Sequence, residues 1–215
     1  FSIPLYLSHT ITRIVGNKRV EGVYIAEVEE QKKPKPETEH FIDCDTVLLS
    51  VGLIPENELT RMAGITLNPI TGGPDVNQYQ QTSKEHIFAC GNVVHVNDLV
   101  DNVSIESHTA GYYAAKHALA QVSAATGTVE CKAGENVRYI CPHEIKLGGE
   151  GQDVSLFFRV SQPKKDVVIR ASIADRILLE KKAYRMNPGE MERLAINTKG
   201  FMDGQQLTIT VEEDI

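Results

Sequence analysis

Apolar and polar residues alternate with a period of two along residues 3–29, in two runs parted by Gly16-Asn17. Both runs are rich in β-branched and aromatic residues, which predicts a β-hairpin. Residues 29–40, EEQKKPKPETEH, are charged and carry two prolines, the pattern of a solvated loop. Residues 46–51 form an apolar run that stops at Gly52, as in a short strand buried on both faces. Pro55 and Asn57 break the pattern, one or two helical turns are predicted over 58–63, and Gly64 is placed to end them. Turn chemistry at Asn68-Pro69 and Gly72-Gly73-Pro74 fills 65–81. A second short buried strand is predicted over 87–90, ended by Gly91. A loop at 95–101 leads to a helix predicted over about 102–121. On that helix Ser107, Gly111, Ala114 and Ala118 share one face, a stripe small enough to admit a closely packed neighbour.

From about residue 128 the period of two returns, at 154–160, 167–173 and 207–211. Turn signals separate the runs at Gly148-Gly149, Gln162-Pro163, Asn187-Pro188-Gly189 and Asp203-Gly204. Short strands so punctuated predict a small all-β, sandwich-like domain. Charge shifts at the same place: residues 1–127 hold 9 basic and 15 acidic side chains, net −6, and residues 128–215 hold 13 and 14, net −1. A domain boundary is therefore expected near residue 127, with 128–215 as the last domain; the family resemblance described below implies a further division into 1–45 and 46–127.

The 215-residue chain carries a net charge of −7, which argues against a general nucleic-acid binder, since that needs a basic surface to displace counterions. No stretch approaches the roughly 18 apolar residues of a membrane span, and no charged-then-apolar leader is visible. Cys44, Cys90, Cys131 and Cys141 form no CxxC pair, so the expectation is reduced, mostly buried thiols in a cytoplasmic protein. The chain opens mid-pattern without Met, which predicts a piece of something longer. The seven histidines are scattered. His108 and His117 fall near one helix face without a third ligand, so no metal site is expected. Ser104, Glu106 and His108 lie too close in sequence to meet as a nucleophilic triad. Glu106 shows no acid–base partner, and Cys141-Pro142-His143 reads as a structural thiol beside an imidazole.

A buried strand that stops at glycine before a loop and a helix has the geometry of a nucleotide site. Residues 82–92, TSKEHIFACGN, resemble the second flavin fingerprint of FAD-dependent pyridine-nucleotide oxidoreductases of the thioredoxin-reductase and NADH-oxidase kind. Residues 44–57, CDTVLLSVGLIPEN, resemble that family's crossover segment, and Gly72-Gly73-Pro74-Asp75-Val76 its Gly-Gly-x-x-Val turn. The resemblance covers about residues 1–122. It implies an α/β, Rossmann-like partial FAD/NAD(P)-binding domain, with residues 1–45 as the tail of the NAD(P)H-binding domain.

On this resemblance Gly91 and Asn92 contact the flavin ribityl and pyrophosphate. Gly52 lines the crossing between nucleotide domains. The helix start, Asn102 and Val103, faces the flavin pyrimidine edge, where a helix dipole favours the reduced anion. Asn92 stands where the family usually has Asp, and Ser50-Val51 replace Ala-Thr. The GxGxxG fingerprints for FAD and NAD(P)H are not in the chain, and Gly148-Gly149-Glu150-Gly151 lacks their spacing. The expected function is part of an enzyme passing hydride from NAD(P)H through FAD to an acceptor the sequence does not name. That expectation has an N-terminal portion of the same protein completing the site and the β domain serving a homo-oligomer or partner subunit. The alternative is a non-catalytic interaction module with a vestigial flavin half.

Overall fold

The computed structural model describes residues 3–29, 31–148 and 151–214. The chain forms two compact units, Phe1–Gly52 and Leu53–Ile215.

In the first unit β1 (His9–Val15), β2 (Gly22–Glu27) and β3 (His40–Ile42) make an antiparallel sheet in sequence order. The hairpin expected over 3–29 is present as β1 and β2, and β3 adds a strand to it. The turn after β1 requires glycine: Gly16 has φ +121, and a Cβ there would lie 1.9 Å from the Arg19 carbonyl oxygen. Val23, Ile25 and Ala26 of β2 are buried, while Arg13 stacks 4.0 Å over the Tyr24 ring. Within 29–40, Pro36–Thr38 form a single 3-10 turn.

The strand expected over 46–51 is not formed. These residues carry no regular structure, and Leu48 and Val51 are 90% and 85% exposed. A strand exists only through its neighbours' hydrogen bonds, and the described residues offer this run none.

In the second unit α1 (Glu58–Met62) ends at Gly64, which has φ +70. α2 (Val100–Ala118) begins two residues before the expected helix and ends three before its expected end. Ala120, with φ 53, turns the chain away. The small-residue stripe does not seat a neighbour. Ser107, Gly111 and Ala118 are exposed, and a Cβ on Gly111 would meet nothing within 4 Å. The buried positions of α2 are Glu106 and Ala110. The strand expected over 87–90 is also absent. Only an isolated bridge joins Gln81 to Phe88, and the chain tightens into a 3-10 turn at Gly91–Val93.

The remaining strands are β4 (Gly127–Ala133), β5 (Val137–Cys141), β6 (Glu144–Leu147), β7 (Asp153–Val160), β8 (Lys164–Ile173), β9 (Arg176–Met186), β10 (Glu192–Asn197) and β11 (Gln206–Glu213). They form a three-stranded sheet, β10-β7-β5, and a five-stranded sheet, β6-β4-β11-β8-β9. Of these pairings only β4–β11 is parallel. Alternate residues of both sheets enter one apolar core: Leu156, Phe158 and Val160 from β7, Val167 and Ile169 from β8, and Leu207, Ile209 and Val211 from β11. Burying each such side chain contributes about 1.5–3 kcal/mol. The turn expected at Gly148-Gly149 falls partly outside the described residues, as do Phe1 and Ser2.

β7 departs from simple alternation, because Phe157 and Arg159 on its other face are buried too. β5 does the same with Tyr139 and Cys141. Cys141 joins Val76 and Val94 in a second, smaller cluster. The back of the β10-β7-β5 sheet therefore carries the segment that follows Gly91.

Candidate functional site

Gly91 opens the turn in the left-handed region, φ +69, and is buried. A Cβ there would meet Val103 Cγ1 at 3.1 Å, so glycine answers both the backbone and the approach of α2. Its N–H donates to Glu106 Oε2 at 2.7 Å. The other carboxylate oxygen, Oε1, lies 2.8 Å from His95 Nε2, and Asn97 Nδ2 donates to Oε2 at 3.4 Å. The side chains of His95 and Glu106 are each 1% exposed. For that bond Nε2 carries the ring hydrogen, which leaves Nδ1 buried without a partner. Glu106, which showed no partner in the sequence, and His95, one of seven scattered histidines, thus form a buried pair that fixes the turn. Their spacing of eleven residues, across a loop, matches no motif.

Asn92 is exposed, and its Oδ1 accepts the Asn97 N–H at 3.0 Å. A second clamp follows. Arg159 of β7 donates to Val96 O at 3.0 Å, to Tyr139 Oη at 3.2 Å and to Pro188 O at 3.3 Å, and it pairs with Asp98. Asp98 Oδ2 also accepts the Met191 N–H at 2.6 Å. Burial alone would lower the Arg159 pKa, but the Asp98 carboxylate and the Tyr139 hydroxyl carry it above its usual value. Burial pushes the Tyr139 hydroxyl up, against the pull of Arg159.

α2 starts with Leu99 at its N-cap and no side-chain hydrogen bond there. Asn102 and Val103 are half-buried in its first turn, beside Asp101. Asp101 offsets part of the positive dipole end. Gly52 lies in exposed chain with φ +87 and open space where a Cβ would stand. Gly91, Asn92 and Val103 come together around the turn. Gly52 ends the other compact unit.

A flavin nucleotide fits part of this arrangement. The exposed Asn92 and the uncapped start of a 19-residue helix are the groups a ribityl chain and an electron-rich ring edge require. Gly91 offers shape rather than its N–H, which Glu106 has taken.

Two of the thiols, Cys131 and Cys141, are not activated. Burial pushes Cys131 up to about 12 and Cys141 well above the usual thiol range, so both stay protonated near neutral pH. Among the described residues no three His, Cys, Asp or Glu side chains gather as a metal ion requires. His86 Nδ1 and His117 Nε2 do meet, at 2.7 Å. Among the described residues no helix is long and apolar enough to cross a membrane.

His143 gives a pH dependence. Its Nδ1 accepts the Val76 N–H at 3.2 Å, and its Nε2 stands 3.0 Å from Asp75 Oδ1, off the line of a hydrogen bond. Burial lowers its pKa more than Asp75 raises it. A base depressed in the folded state binds its proton more readily when unfolded. Its share of stability is therefore complete above about pH 6.5 and is lost as pH falls below that value. Unfolding midpoints from pH 8 to pH 5 are expected to fall less steeply for His143→Gln than for the parent, and equal slopes would remove His143 as the cause.

Residues 2–127 match the family model described as pyridine nucleotide-disulphide oxidoreductase. The chain is 31% identical over 98 residues to an NADH oxidase of Methanocaldococcus jannaschii, covering 46% of this chain and 19% of that protein. It is 42% identical over 59 residues to a nitric oxide reductase FlRd-NAD(+) reductase of Escherichia coli O127:H6, covering 27% and 15%. A reductase of the same name from Escherichia coli O139:H28 is 30% identical over 89 residues, covering 41% and 21%. The chain thus spans about a fifth or less of the length of these curated relatives. With more than half of its residues inside the family model, and the Gly91 turn and α2 within that part, the chain belongs to the pyridine nucleotide-disulphide oxidoreductase family.

Proposed function

We propose that this chain contributes the second half of the flavin domain of an FAD-dependent NAD(P)H oxidoreductase. Residues 1–45 serve as the tail of the NAD(P)H-binding domain, 46–127 as part of a layered Rossmann-like flavin domain, and 128–215 as an appended sandwich-like β domain. The observation that carries the reading is the turn itself: a left-handed glycine locked by a buried carboxylate, with an exposed amide beside it, ahead of an uncapped 19-residue helix. FAD, when bound, supplies hydride transfer from NAD(P)H to an acceptor. The chain's own residues position it. Asn92 holds a ribityl hydroxyl, and the α2 start at Asn102 and Val103 lends its dipole to the pyrimidine edge. Gly91 sets the turn, and Gly52 lines the crossing between nucleotide domains.

The exposed run Leu48, Leu49, Val51, Leu53 and Ile54 supports a partner surface for the part of the flavin domain that carries the GxGxxG loop. An apolar stretch of this size normally marks a surface covered by another element. The site is then assembled from this chain and an N-terminal portion of the same protein.

The test is the visible spectrum of the full-length protein. A flavin band that bleaches on anaerobic addition of NADH or NADPH is expected. A full-length protein that stays colourless with added FAD would rule the proposal out. Asn92→Asp is expected to bind flavin about fivefold tighter. The Asn97 N–H keeps its acceptor while a second, charged oxygen becomes free for a ligand hydroxyl, and charge-assisted bonds gain about 1 kcal/mol over neutral ones. A flavin-fluorescence titration giving equal or weaker affinity would take Asn92 out of the site.

A further inference from the structure

His86 stands shortly before the Gly91 turn, and His117 lies in the last turn of α2. The fold brings them together: His86 Nδ1 and His117 Nε2 are 2.7 Å apart, and their ring centroids 4.9 Å. His117 therefore meets His86 rather than His108, the companion that helix spacing suggests. His86 is exposed and His117 half-buried, so the pair stands at the surface. We infer that the two imidazoles form an open chelating site for a divalent transition metal of the nickel(II) or copper(II) class.

The spacing of the two nitrogens carries the inference. As a hydrogen bond it needs one ring hydrogen between them. As a chelate it needs that hydrogen moved to the other nitrogen of the same ring, an exchange between the two tautomers of neutral imidazole. Two nitrogens each about 2.0–2.1 Å from a metal lie about 2.9 Å apart at a right angle and about 3.3 Å apart at the tetrahedral angle. From 2.7 Å, the pair opens by about 0.2 Å for a square-planar or octahedral ion and by about 0.6 Å for tetrahedral zinc. Affinity for nitrogen ligands also rises toward nickel and copper in the first-row series. Magnesium and calcium take oxygen ligands instead. Among the described residues no third His, Cys, Asp or Glu side chain joins the pair as a metal ligand, so water fills the remaining positions.

The surroundings suit a cation. His117 sits at the C-terminal end of a 19-residue helix, where the helix dipole is negative. Lys116, its neighbour in sequence, is drawn to the Tyr112 ring, with Nζ 4.8 Å from the centroid. Phe88 backs the His117 imidazole, 6.1 Å between ring centroids. The contact joins residues 31 positions apart, and the stretch it closes contains the Gly91 turn and nearly all of α2. A metal there clips both ends of that stretch and stabilises the folded chain by mass action.

The experiment titrates nickel(II) and, separately, magnesium into the full-length protein by calorimetry, with paramagnetic broadening of the imidazole resonances as a second readout. Nickel is the probe because it leaves the chain's thiols unoxidised. Saturable nickel binding is expected, with the His86 and His117 resonances broadened first, a raised unfolding midpoint and no binding of magnesium. His86→Gln and His117→Gln are each expected to weaken nickel at least about tenfold, because losing one arm removes the high effective concentration of the second. His108→Gln, at an exposed position of α2, is expected to leave nickel affinity unchanged. If either Gln variant is less stable without metal, the pattern of broadening in the parent decides. Absence of saturable nickel binding, broadening centred on other histidines, equal binding of magnesium, or a smaller loss in either variant would each overturn the assignment.

Discussion

Glu106→Ala is expected to lower the unfolding free energy by about 3–5 kcal/mol, the usual consequence of removing one partner of a buried pair. The carboxylate accepts from the Gly91 N–H and bonds His95 Nε2, with both side chains inaccessible to water. Alanine leaves two buried donors with nothing to receive them, and no solvent reaches in to compensate. Glu106→Gln separates charge from connectivity. Its amide oxygen still accepts from Gly91. Its NH₂ donates to His95 Nε2 once the ring hydrogen moves to Nδ1. That hydrogen then becomes the unpartnered group, so a cost of about 1–3 kcal/mol is expected. Urea denaturation of parent, Glu106→Ala and Glu106→Gln checks the order. Alanine and glutamine variants of equal stability would show that the hydrogen bonds to Glu106 do not hold the turn.

Arg159→Ala is the second large effect, at about 2–3 kcal/mol. The guanidinium joins Val96 and Asp98 of the turn segment to Tyr139 and Pro188 of the β region. Asp98 is partly exposed and keeps the Met191 N–H, so its stranded charge costs less than a fully buried one. Double-mutant cycles with Asp98→Ala are expected to show a coupling of about 1–2 kcal/mol. Amide exchange should accelerate at Asn97 and Met191 while the β7–β8–β11 core stays protected. Additive losses in the cycle, or unchanged exchange at those two amides, would dismiss the clamp.

The local elements were legible where period and boundary signals agreed. Gly16-Asn17 between two β-rich runs marks the first hairpin, and the period of two at 154–160, 167–173 and 207–211 marks β7, β8 and β11. Strand β9 escaped notice because the run Glu180, Lys181 and Lys182 interrupts the alternation of Arg176–Met186, and β4, β5, β6 and β10, of four to seven residues, fall outside the three runs that the period of two marks. The two apolar runs at 46–51 and 87–90 have the composition of buried strands and are not strands here. Composition states what a segment would bury, and only neighbouring backbones decide whether a ladder forms. The small stripe on α2 misled for the same reason, since an open face costs a helix nothing.

The family was visible in three short segments, TSKEHIFACGN, CDTVLLSVGLIPEN and GGPDV, because turn glycines and strand ends constrain residue type at fixed spacing. Gly91 belongs to this part: its left-handed backbone and the closeness of Val103 allow little else. The pairings His95–Glu106 and Arg159–Asp98 were decided by tertiary structure alone. They join residues 11 and 61 positions apart, and a polar side chain in sequence carries no sign of whether water or a partner will face it. Burial made those partners obligatory, and burial is a property of the packed chain.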